Sequence, residues 1–145
     1  MKSVLSYWQT WALLSALFAA LTAIFGKVGI EKIAPDFATL IRVLVILAFI
    51  AVLVAATGVA QPLQTISAKT YTFLTLSGLA TGASWLCYYR ALKLGPASLV
   101  APIDKLSVVM VAIIGVLLLG EHLNLRGWLG IGLITGGAIL VGWKA

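Results

Sequence analysis

The chain has 145 residues, of which 62% are hydrophobic and only 10% charged, and its mean hydropathy is +1.12. Soluble domains average about 45–50% apolar and about 25% charged residues, so a water-soluble fold of this length is excluded: it could not bury so much apolar surface. The net charge of +6 comes from lysines and arginines scattered singly, which argues against a nucleic-acid interface and fits cations that flank membrane helices.

A spanning helix needs about 20 mainly apolar residues, and five such runs follow one another. Residues 3–26 carry no charge and end at Gly26-Lys27, giving the first helix. Lys2 before this run and Leu21-Thr22-Ala23 near its end imitate a secretory signal, but the run is long for one and more spans follow, so it is read as retained. A loop from Lys27 to Pro35 leads to a second helix over 36–58, uncharged after Arg42. The polar stretch from Gln61 to Lys69 then divides the chain. A third helix over 70–91 stops before Leu94-Gly95-Pro96, where Gly terminates and Pro initiates. The fourth covers 96–119 and is interrupted by Pro102-Ile103-Asp104-Lys105; the fifth runs over 125–143. The runs are continuously apolar, not alternating, which excludes a β-barrel. The expected fold is an all-α integral membrane protein of about five transmembrane helices in one domain. Ser15 and Ala19, Gly78 and Gly82, and Gly132 and Gly136 have the small-residue spacing that lets membrane helices approach closely.

Cys87 is the single cysteine, so neither an intramolecular disulfide nor a Cys cluster forms, and the lone His122 makes no metal site unaided. No metal or cofactor is expected. No paired catalytic carboxylates and no nucleophile-base pair are visible either, so the chain is not read as an enzyme.

Five spans place Lys2, Lys69 and Arg126 on one side of the membrane and Lys27, Lys32, Arg90, Lys93 and Lys144 on the other. This is a weak orientation bias. One repeat inserting both ways and pairing antiparallel would reproduce the inverted repeats on which many transporters are built. The other reading is one orientation, C-terminus inside, with a parallel dimer or a partner subunit.

Ionisable residues within spans mark a pathway or a pair; here they are Arg42, Asp104 and Lys105. At about 1.5 Å per residue, Arg42 lies roughly 8–10 Å and Asp104 and Lys105 roughly 12–14 Å below the surface that carries the 27–35 loop. Thr22, Ser84, Trp85 and Gly136-Gly137 fall at similar depth, so every helix contributes to one polar layer. Pro102 frees carbonyls of the preceding turn and serves as a hinge, and irregular backbone at membrane depth is tolerated where it lines a cavity. Lys105 lies about 100° around the helix from Asp104, so Asp104 and Arg42 are the expected ion pair. Thr81, Trp85, Tyr88 and Tyr89 form an aromatic strip. Alternative readings have Arg42 snorkelling to the near surface, Tyr88 and Tyr89 in an interfacial belt and Trp85 as packing. Glu121 is expected at a helix N-terminus, favoured by the dipole.

The sequence resembles a single EamA domain of the drug/metabolite transporter superfamily, in its short five-helix bacterial and archaeal form. The resemblance covers essentially the whole chain. It is carried by the run from Trp11 to Thr22, by Ala38-Thr-Leu-Ile-Arg42, and by the stretch from Gly78 through Trp85 and Tyr88-Tyr89-Arg90 to Leu92. Leu94-Gly-Pro-Ala-Ser98, Val100-Ala-Pro-Ile-Asp-Lys-Leu106 and Leu119-Gly-Glu121, with Gly130 and Gly137, complete it. The resemblance implies a transporter of small metabolites that needs two such domains, which this chain reaches by pairing with a second copy. It supplies neither substrate nor catalytic residue.

The resulting expectation is a bacterial or archaeal inner-membrane exporter or importer of a small solute, working by alternating access as a homodimer. Arg42 and Lys105 would attract an anionic group, Trp85 and Tyr88 would pack the apolar part, and Thr22 and Ser84 would line the site. Asp104 would balance charge or accept a coupled proton. The alternative function is a non-transporting membrane assembly subunit whose polar layer is structural.

Overall fold

The computed structural model describes residues 7–143. These fold into α1 (Trp8–Gly29), α2 (Pro35–Thr57), a single 3-10 turn (Leu63–Thr65), α3 (Ala68–Leu94), α4 (Ala97–Asp104), α5 (Ser107–Leu119) and α6 (Leu125–Gly142). No strand occurs among the described residues. The expected start of the first helix at residue 3, and the charges Lys2 and Lys144, lie outside them.

Helices α1, α2 and α6, and α4 with α5 taken together, are long and apolar enough to cross a bilayer. The shortest, α6, has 18 residues, about 27 Å at 1.5 Å per residue, close to the roughly 30 Å hydrocarbon core. α3 is the longest at 27 residues and the least apolar of the long helices. The chain is an all-α integral membrane protein.

Local chemistry sets the boundaries. Pro35 at the first helical position, after an extended Ala34, starts α2, and Gly58 ends it in the left-handed region at φ 65°. α3 begins two residues before its expected start because Ser67 caps it: the Thr70 N–H donates to Ser67 Oγ at 3.2 Å. α1 runs past Gly26-Lys27 to Gly29, since neither residue acts as a terminator. Asn124 caps α6, its Oδ1 accepting from the Gly127 N–H at 2.9 Å. Glu121 is therefore not at a helix N-terminus as expected. It lies just past the C-terminus of α5, where its N–H donates to Gly115 O at 3.1 Å.

That closure requires Gly120 at φ +68°, a conformation that costs a residue with a Cβ roughly 1–2 kcal/mol. Gly120→Ala is expected to lose about that much stability in thermal unfolding in detergent. An unchanged midpoint would show that the cap contributes nothing.

The chain divides into two compact units, one of Gly26–Lys93 and one of Met1–Phe25 with Leu94–Ala145. In the first, Ile30 and Leu92 are fully buried, joined by Ala38, Thr39 and Tyr89. Thr39 meets its own polarity by donating from Oγ1 to Pro35 O at 2.9 Å. In the second, α4 and α5 pack on α6: a Cβ at Gly142 would stand 3.0 Å from Ile103 Cδ1. Large apolar side chains such as Leu44, Phe49, Leu117 and Leu133 are exposed, as suits a protein whose solvent is lipid. Two of the small-residue pairs expected to pack helices, Gly78 with Gly82 and Gly132 with Gly136, leave open space beside them among the described residues. A Cβ at Gly78, Gly82, Gly132 or Gly136 would meet nothing within 4 Å.

Candidate functional site

In the Gly26–Lys93 unit the chemistry centres on Arg42. Its guanidinium carbon is 4.1 Å from the centroid of the Trp85 ring and 5.3 Å from that of Tyr89. Trp85 and Tyr89 are four residues apart and so share a face of α3, while Arg42 reaches them from the second turn of α2. A cation on an aromatic face is held by the ring quadrupole, with about 2 kcal/mol or more available when the pair is desolvated. The Arg42 Nη1 is buried and has no hydrogen-bond partner among the described residues. The side chain is turned onto the rings.

Tyr89 holds this position through its own packing. It is 5% exposed, and its hydroxyl lies where Gly26 of α1 leaves room: a Cβ at Gly26 would come within 3.0 Å of Tyr89 Oη. Tyr88 stands beside it, ring centroids 6.5 Å apart and planes tilted by 57°. The aromatic that flanks Arg42 together with Trp85 is thus Tyr89, with Tyr88 one ring further out.

Three further cations of this unit and one acid are committed. Arg90 makes a two-point bridge to Asp36, Nε to Oδ1 at 3.0 Å and Nη2 to Oδ2 at 2.8 Å. Asp36 lies in the first turn of α2 and Arg90 near the end of α3, so each also sits at the helix end that favours its charge. Lys27 Nζ donates to Leu92 O at 2.6 Å, and Lys93 Nζ donates to Ile30 O and Glu31 O, both at 2.6 Å. Each lysine thereby satisfies carbonyls at the end of the other's helix, which intrahelical bonds leave orphaned. This reciprocal clamp ties α1 to α3, and the Arg90–Asp36 bridge ties α2 to α3, where Arg42 and its rings are placed.

In the other unit the fourth span is broken. Pro102 has no N–H to give Ser98 O, and the helix stops at Asp104 and resumes at Ser107. Across the gap the bonds are one residue tighter: Leu106 N–H to Ile103 O, Val108 N–H to Lys105 O and Val109 N–H to Leu106 O, all at 3.0 Å. At this break Lys105 Nζ lies 3.2 Å from Asp104 Oδ2. Regular helical spacing would leave Lys105 apart from Asp104, about 100° around the helix; at the break the two side chains meet. Thr22 is half-buried on α1 and Ser84 is exposed on α3.

Four apolar spans, one of them broken at an ion pair, together with the less apolar α3 that holds the Arg42 rings, define a polytopic membrane protein. Comparison with known proteins gives the family. The EamA-like transporter family model matches residues 6–143, and the chain belongs to that family. It is 66% identical over 134 residues to a Sinorhizobium protein named an uncharacterized transporter in the cobO 3' region, covering 92% of this chain and 95% of that one. No solved structure matches.

Proposed function

We propose that the chain is half of a secondary transporter, two copies of which move a small metabolite or drug-like solute across a bacterial or archaeal inner membrane by alternating access. The observation that carries this reading is Arg42, a charge within a span, stacked on Trp85 and Tyr89 and retaining a buried N–H without an acceptor. A purely structural intramembrane charge is expected to be fully paired. Family membership and the relative named a transporter support the same reading. Arg42, Trp85 and Tyr88 are assigned to substrate binding, with Tyr89 added to them and with Thr22, Ser84, Asp104 and Lys105 as further polar contacts. Asp104 is the candidate for proton coupling, and the Pro102 break is the hinge.

Dimerisation is supported by what one chain leaves uncovered. Gly78 and Gly82 lie on the least apolar helix, and a Cβ at either would meet nothing within 4 Å among the described residues. Small residues of this kind ordinarily let a second helix approach. Antiparallel pairing of two copies would supply the inverted symmetry of complete transporters.

Purified protein in proteoliposomes is expected to accelerate uptake or efflux of a solute from a metabolite panel, and Arg42→Gln is expected to abolish that flux. Reporter fusions at Ala145 are expected to give signal on both faces of the membrane. A strict monomer in mild detergent that moves nothing would instead indicate an assembly subunit.

A further inference from the structure

We infer that Arg42 is the receptor for a single carboxylate group, so that the transported solute is an organic monocarboxylate; this rests on the transport reading for what the carboxylate is attached to. A guanidinium has five N–H donors and no acceptor, and it does not lose its charge. Its carbon lies 4.1 Å from the Trp85 ring centroid and 5.3 Å from that of Tyr89, and its N–H groups are left for hydrogen bonding. Among them Nη1 is buried and unpartnered. An anion is therefore called for, and a carboxylate, which can accept two parallel N–H bonds from the fork, fits it.

The chain does not supply that anion from its own ion pairs. Both Asp36 oxygens are held by Arg90, and Asp104 is held by Lys105. The charge balance also selects among external anions. A phosphate monoester carries close to two charges at neutral pH, and in a bilayer the second would need another cation. Within the Gly26–Lys93 unit Lys27 and Lys93 are spent on backbone carbonyls and Arg90 on Asp36. Lys32 lies in the loop before α2 and Lys69 in the first turn of α3, at the ends of the helices, so Arg42 alone of this unit's cations is left within a span, for one negative charge.

The chain has three arginines, Arg42, Arg90 and Arg126, so nitrogen-15 NMR of the arginine side chains reads the site without knowledge of the natural solute. The protein in lipid nanodiscs would be titrated at constant ionic strength and neutral pH with acetate, with the neutral isostere acetamide and with inorganic phosphate. Arg42→Lys assigns the signal; if that variant does not fold, Arg90→Lys and Arg126→Lys assign it by elimination. Acetate is expected to shift the Arg42 signal and saturate with a Kd of about 10 mM, weak because the probe is so small. Acetamide should leave it unmoved, and Trp85→Leu should weaken the acetate response roughly tenfold. An Arg42 signal indifferent to acetate would overturn the inference, as would a response to phosphate at lower concentration than to acetate. Since the titration involves no flux, an acetate response in a protein that moves nothing would sink the transport reading alone, and flux without an acetate response would sink the carboxylate alone.

Discussion

Gly26→Ala is expected to destabilise the protein, and the same substitution in a Tyr89→Leu background is expected to stabilise it. Alanine is the better helix former by about 1 kcal/mol, and Gly26 lies inside α1, so propensity alone favours the change in both backgrounds. Packing decides the sign. The new Cβ would stand 3.0 Å from Tyr89 Oη and 3.2 Å from Cζ, and the ring cannot swing aside freely, being buried and stacked against the Arg42 guanidinium. Overpacking of this kind costs about 1–3 kcal/mol, which leaves a net loss of about 1 kcal/mol for Ala. The β-branched Gly26→Val should lose roughly 3 kcal/mol by the same argument. Leucine at 89 lacks both clashing atoms, so there the alanine gain of about 1 kcal/mol should appear uncovered. Unfolding in mixed micelles of the four proteins in this cycle gives the result. Equal effects of Gly26→Ala in both backgrounds would show that Tyr89 is not held by this contact. The functional corollary is that Gly26→Ala should weaken substrate binding though Gly26 touches no solute, because it displaces a ring that flanks Arg42.

The same residues show how far sequence carries. Four membrane-length apolar helices and the Gly95-Pro96 boundary are legible because lipid imposes a length and polarity rule on any segment that crosses it; α3 is legible as a helix but is too little apolar to meet that rule. Gly26-Lys27 misleads, since a glycine followed by a lysine has the form of a helix end. The glycine is there to admit Tyr89 and the lysine to reach Leu92 O, and both reasons belong to α3, more than sixty residues away. Tyr89 in place of Tyr88 beside Trp85 was within reach: the i, i+4 rule places Trp85 and Tyr89 on one face, and following it strictly singles out Tyr89. Asn124 before an apolar run was likewise a readable cap for α6, and taking it would have removed Glu121 from a helix start. Arg42 could be flagged as costly at its depth, but that two rings lie against it and a buried Nη1 is left without an acceptor is tertiary information.

Asp104→Asn and Lys105→Met are each expected to cost more singly than the two together. The pair sits at the break between α4 and α5, with Lys105 the ninth residue of the 23-residue span Ala97–Leu119, roughly 13 Å along it and so near the middle of the hydrocarbon core. There a lone charge costs about 2.5–3.5 kcal/mol on insertion scales, whereas Nζ and Oδ2 at 3.2 Å form a neutral unit. Each single substitution leaves one charge without its partner, so each should lose about 2–3 kcal/mol, and the double variant should return to within about 1 kcal/mol of the parent. The two losses should also be unequal. A lysine freed by Asp104→Asn has a long flexible stem and can snorkel, while an aspartate freed by Lys105→Met has one methylene and must stay at depth. Lys105→Met is therefore the more damaging. Denaturant unfolding in nanodiscs measures both the coupling and its asymmetry; singles that simply sum to the double would mean that the ion pair does not stabilise the break. Transport then separates structure from mechanism. A double variant that regains stability yet moves no solute places the charges in the working cycle, and one that regains both reduces them to a neutral plug in a broken helix.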